Sequence, residues 1–100
     1  MDKSRVLTLV SVTYQKDEIG QMVPVPVKRD VFCNISSVSA SEWFDAGQAG
    51  LNPEYRATMF SYDYNGEQIA ELDGTRYGVY RTYIGKNETI ELYLERKAGV

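Results

Sequence analysis

Residues 62–83 read Tyr-Asp-Tyr-Asn-Gly-Glu-Gln-Ile-Ala-Glu-Leu-Asp-Gly-Thr-Arg-Tyr-Gly-Val-Tyr-Arg-Thr-Tyr. Asn65-Gly66 and Asp73-Gly74 are pairs that accept left-handed backbone angles, as tight hairpin turns require. Between them Glu67 to Leu72 suffices for a short strand, and Thr75 to Tyr83 makes a longer one. Upstream, from Glu54 to Tyr62, Arg56, Thr58, Phe60 and Tyr62 alternate with Tyr55, Ala57 and Met59. That period of two is the signature of a half-buried strand. The two turns and three strands predict a meander.

Outward from this stretch the alternation continues. Gly85-Lys86-Asn87 predicts a bend, and Thr89 to Glu95 follows with Ile90, Leu92 and Leu94 on one face. Near the start, Arg5 to Tyr14 places Val6, Thr8, Val10, Val12 and Tyr14 opposite Leu7 and Leu9. Residues Gln15 to Pro26 contain Lys16, Asp17, Glu18, Gly20, Pro24 and Pro26. Proline removes a ladder donor, so this segment predicts a long exposed loop after the first strand. A second strand is expected from Val27 to Ser36, with Val27, Val31, Cys33 and Ile35 on one face and Arg29 the single charge among them.

The segment from Ser36 to Gly47 changes character. Ser39 followed by Glu42 matches a capping box, in which each side chain can satisfy a free amide at a helix start. A short helix is predicted from Ala40 to Ala46, with Gly47 or Gly50 to stop it. Trp43 or Phe44 is expected to plug one mouth of the sheet structure. Six short strands with regularly spaced turns and one helix predict a mainly β fold: a small antiparallel β-barrel, whose closure hides strand edges.

Composition narrows the function classes. The chain has 100 residues, 11 Lys plus Arg against 14 Asp plus Glu, a net charge of −3, no His and one Cys. That size suits a single domain over residues 1–100 with one modest core. Lack of His removes the commonest general base and transition-metal ligand. Cys33 lies in an alternating apolar run and reads as a buried structural thiol. No apolar run approaches the roughly 20 residues of a spanning helix, and the first residues lack a secretory pattern, so a cytoplasmic product without a membrane role is expected. Asp63 with Glu67, and Glu88 with Glu91 and Glu95, read as solvated strand faces rather than catalytic pairs. Ser36, Ser37, Ser39 and Ser41 have no His partner for nucleophilic chemistry. No enzymatic activity, cofactor or metal is expected. Eight tyrosines exceed what so small a core can absorb, so some should lie at the surface and serve contacts between proteins.

Four motifs in order carry a resemblance. They are residues 41–55, Ser-Glu-Trp-Phe-Asp-Ala-Gly-Gln-Ala-Gly-Leu-Asn-Pro-Glu-Tyr; residues 62–67, Tyr-Asp-Tyr-Asn-Gly-Glu; residues 73–83, ending Tyr77-Gly78-Val79-Tyr80-Arg81-Thr82-Tyr83; and Ile90-Glu91-Leu92-Tyr93. Together they resemble the head closure, or stopper, proteins of long-tailed phages. The likeness covers about Asp30 to Val100, and the first third matches only in layout. It implies a barrel that assembles into a homo-oligomeric ring in the phage neck, below the portal and adaptor. That ring closes the DNA-filled head and offers a platform for the tail terminator or tail tube. The packaged double-stranded DNA would pass through the channel without sequence-specific binding.

Under this reading the candidate contact or channel residues are Lys16, Asp17, Glu18, Gln21 and Met22 in the expected loop, Trp43 and Phe44 on the helix, and Tyr77, Tyr80, Arg81 and Tyr83 on the fifth strand. Two alternatives remain. One is a tail-completion or adaptor protein of the same neck. The other is a cellular barrel that binds single-stranded nucleic acid, for which Arg76, Arg81 and Lys86 beside Tyr77, Tyr80 and Tyr83 are the candidate residues. The acidic net charge weighs against the latter.

Overall fold

The computed structural model describes residues 5–96. Its elements are β1 (Arg5–Lys16), β2 (Met22–Ser37), α1 (Ala40–Gln48), β3 (Pro53–Phe60), a 3₁₀ turn (Ser61–Asp63), β4 (Ile69–Leu72), β5 (Thr75–Ile84) and β6 (Thr89–Arg96). The six strands close into an antiparallel barrel in the order β1-β2-β3-β6-β5-β4. The mainly β barrel with one short helix is therefore as the alternation implies. The core is built from the inward faces of the strands: Leu7 and Leu9, Val31 and Cys33, Ala57 and Met59, Ala70 and Leu72, and Ile90, Leu92 and Leu94. Burial pushes the Cys33 thiol up to about 11, partly opposed by the charge of Arg5.

The expected long loop is absent. β1 and β2 pair without interruption from Arg5↔Cys33 to Lys16↔Met22, so most of Gln15 to Pro26 is strand and only residues 17–21 connect the two. Asp17 N–H donates to the Gln21 carbonyl at 2.9 Å, Gly20 takes φ +84°, and Asp17 Oδ1 accepts from Ile19 and Gln21 N–H. Pro24 and Pro26 coexist with this ladder because they stand opposite Tyr14 and Val12, in the pairs that exchange no hydrogen bonds. β2 pairs with β3 only over Asn34–Ser37, and β1 with β4 only over Thr8–Val10. The outer part of the hairpin thus leaves the barrel as a two-stranded arm. The extents of 51 × 31 × 23 Å and a radius of gyration of 15.0 Å agree, against about 13 Å for a compact chain of this length.

The meander holds only in part. β4, β5 and β6 are neighbours, and Asp73 (φ 51°) with Gly74 (φ 80°) makes the expected tight turn between β4 and β5. β3 does not pair with β4. It lies between β2 and β6, so the segment 61–68 crosses a barrel mouth instead of turning a hairpin. Asn65 lacks the positive φ that the hairpin reading required of it; only Gly66 has one.

Candidate interaction surface

The barrel mouths are closed by residues other than those expected. At one, Tyr64 packs on the core and donates its hydroxyl to the Glu67 carbonyl at 2.6 Å. Glu67 is 7% exposed as a residue, and its carboxylate accepts from Arg29 Nη2 at 2.7 Å and from Asn65 N–H at 2.9 Å, so it is not a solvated strand face. Burial alone would raise the Glu67 carboxyl, but these donors outweigh it and hold the group below the ordinary carboxylate range. The lone charge on the apolar face of β2 is thereby explained: Arg29 partners a buried acid. Tyr55 and Tyr77 pack edge to face, centroids 5.8 Å apart, beside Leu72 and Ile35. Tyr77 is 5% exposed and is a core residue, not a surface one.

Trp43 and Phe44 do not plug a mouth. Each is 58% exposed, and Ala46 is the only buried residue of α1. Ser39 caps the helix, accepting from Glu42 N–H at 3.2 Å, but the reciprocal half of the capping box is missing. The Glu42 carboxylate instead reaches β5. There it accepts from the Tyr80 hydroxyl at 2.9 Å and pairs with the Arg81 guanidinium. A bulge between Val79 and Arg81 makes this possible, because the extra residue lets consecutive Tyr80 and Arg81 serve one partner. Arg81 also sits 4.4 Å from the Tyr93 ring centre. Burial first, and the Glu42 carboxylate second, push the Tyr80 hydroxyl well above its usual range. Held by this polar anchor, α1 turns its two largest side chains to solvent.

The remaining candidates separate into distinct places. Lys16, Asp17, Glu18, Gln21 and Met22 lie together at the exposed tip of the arm. Tyr83 is 61% exposed near the end of β5, with Ile84 at 73%. Sequence reasoning missed Val12, Tyr14, Ile19, Val23 and Val27, exposed apolar residues that the arm displays, and the exposed outer-face pair Val6↔Phe32. An uninterrupted Val-rich alternation through residues 23–27 was the available signal. The cations needed for nucleic-acid contact are largely committed elsewhere: Arg76 Nη2 donates to Glu71 Oε2 at 2.8 Å, and Arg81 belongs to the helix anchor. The geometry offers exposed apolar and aromatic contact area and, among the described residues, no cluster of metal-ligating side chains. The chain matches no protein-family model and no curated protein.

Proposed function

We propose that this barrel is a structural subunit of the neck of a long-tailed phage virion, a head closure protein. Copies assemble into a ring below the portal-side adaptor, retain the packaged DNA and receive the tail terminator or tail tube. The role is architectural, without catalysis. The observation that supports it most is the pairing of a projecting two-stranded arm with exposed Trp43, Phe44 and Tyr83 on the barrel. Exposed aromatic and apolar groups of this kind characterise contact surfaces. Pairing of Arg76 and Arg81 with acids, in a chain of net charge −3, favours a channel that lets DNA slide over one that grips it. The same pairing disfavours the single-strand binding alternative.

The test joins Ser11 to Val27, a facing pair that exchanges hydrogen bonds, through an Asn-Gly turn that replaces residues 12–26. All core residues remain, so the barrel should keep its cooperative unfolding. In a phage complementation assay the shortened chain should give heads that lose DNA or fail to join tails. Normal titres from it would overturn the role of the arm.

A further inference from the structure

The arm has two edges of opposite character. Asp17 N–H bonds to the carbonyl of Gln21, so the odd-numbered pairs of the β1–β2 ladder exchange hydrogen bonds. Pro24 and Pro26, opposite Tyr14 and Val12, independently require the same phase. The backbone N–H and C=O groups of the even β1 residues therefore point away from β2. Thr8 and Val10 turn theirs toward β4, with which they are paired. Val12, Tyr14 and Lys16 turn theirs to an edge that, among the described residues, no strand covers.

On β2 the outer edge is blunted by Pro24 and Pro26 and by Lys28, Arg29 and Asp30, devices that prevent sheet extension. On β1 the stretch Ser11-Val12-Thr13-Tyr14-Gln15 carries no charge and no proline. A groove of about 280 Å³ runs along its base, between Val10, Ser11 and Val12 on one side and Gly66 to Ile69 on the other. A two-stranded ribbon is marginal alone, and a third strand stabilises it.

We infer that the β1 edge pairs with the β1 edge of a second copy, antiparallel and centred on Tyr14. Three constraints single out this arrangement. The blunted β2 edge excludes β1-to-β2 stacking between copies. The two-fold keeps like phases together, so Val12 faces Lys16 of the other copy and Tyr14 faces Tyr14, each pair exchanging two backbone hydrogen bonds. A register centred on Thr13 would drive Lys16 against Val10, whose edge β4 already occupies. The chosen register also keeps the two Lys16 ammonium groups four strand positions apart, about 13 Å, so no like charges oppose each other. The contact is isologous and stops at a dimer. Its area is that of one short strand pair, so association is weak and needs protein concentrations on the order of 0.1–1 mM. It does not rest on the neck reading, whose contacts through the arm would use its exposed side chains rather than this backbone edge.

The experiment combines sedimentation equilibrium with amide hydrogen exchange of the full chain from about 0.02 to 1 mM. The amides of Val12, Tyr14 and Lys16 should slow about two- to fourfold across this range as dimer forms, while Thr13 and Gln15, already in the ladder, should not change. Tyr14 is 63% exposed, so Tyr14→Lys and Tyr14→Glu leave the barrel folded. Each alone should be monomeric, because like charges meet on the axis, and an equimolar mixture should restore the dimer. Concentration-independent exchange at the three even residues, a dimer that survives in both single variants, or a mixture that stays monomeric would each overturn the pairing.

Discussion

Arg29 and Glu67, 38 positions apart in sequence, meet at a barrel mouth with Nη2 2.7 Å from Oε2. The Arg29 side chain is 37% exposed and the Glu67 side chain 6%. The pair is therefore asymmetric: water can solvate the cation, but the acid depends on its protein donors. Removing the arginine should hurt more than removing both partners, since an unpartnered buried charge is what destabilises.

The Arg29→Met chain should lose about 2 kcal/mol of stability, less than a fully buried pair would because the arginine is partly solvated. The Arg29→Met, Glu67→Leu double variant should recover most of that loss. Urea unfolding at neutral pH checks both. Equal midpoints for wild type and Arg29→Met would show that the pair contributes nothing.

Acid sensitivity follows from the same carboxylate. Its ordinary value is 4.5 and folding lowers it, so the folded state binds the proton less readily than the unfolded chain. The stabilisation is present above 4.5 and is lost as pH falls through the lower, folded value. Glu67→Gln should flatten the acid limb of the stability-against-pH curve. Thermal unfolding from pH 7 to pH 3 measures it, and parallel limbs for the two chains would place the effect elsewhere.

Gly74 holds φ +80° directly after Asp73 at φ 51°. A side chain there meets no neighbouring atom, so any penalty is conformational rather than steric contact with the surroundings. Gly74→Val should cost roughly 1–2 kcal/mol, because a β-branched residue tolerates this region poorly. Gly74→Asn should cost much less, as Asn visits left-handed angles more readily. The ordering of thermal midpoints, Gly above Asn above Val, is the check.

The helix anchor has a spectroscopic signature. Tyr80 should ionise well above the ordinary tyrosine range in an ultraviolet alkaline titration. In Glu42→Gln the hydroxyl keeps a hydrogen-bond acceptor but no longer faces a carboxylate, so its ionisation should move down toward the ordinary tyrosine range. An unchanged late phase in that variant would mean that burial alone sets it.

Much of this architecture is local and could be read along the chain. The alternation of Leu7 with Leu9, of Ala57 with Met59, and of Ile90 through Leu94 reports which face is buried, because side chains in a strand repeat every two residues. Asp73-Gly74 announced its turn, and Ser39 its helix start, because both depend only on nearby backbone. Three features were decided by residues far apart. Whether Pro24 and Pro26 break a ladder depends on which strand edge is in use, and β3 leaves that edge at Asn34. Whether Arg29 can lie on an apolar face depends on Glu67 arriving across the mouth. Whether Trp43 and Phe44 are buried depends on Glu42 finding Tyr80 and Arg81, which a bulge on a distant strand presents to it. In each case the deciding free energy is that of a long-range hydrogen bond or charge pair, and no periodicity or turn signal encodes such a partner.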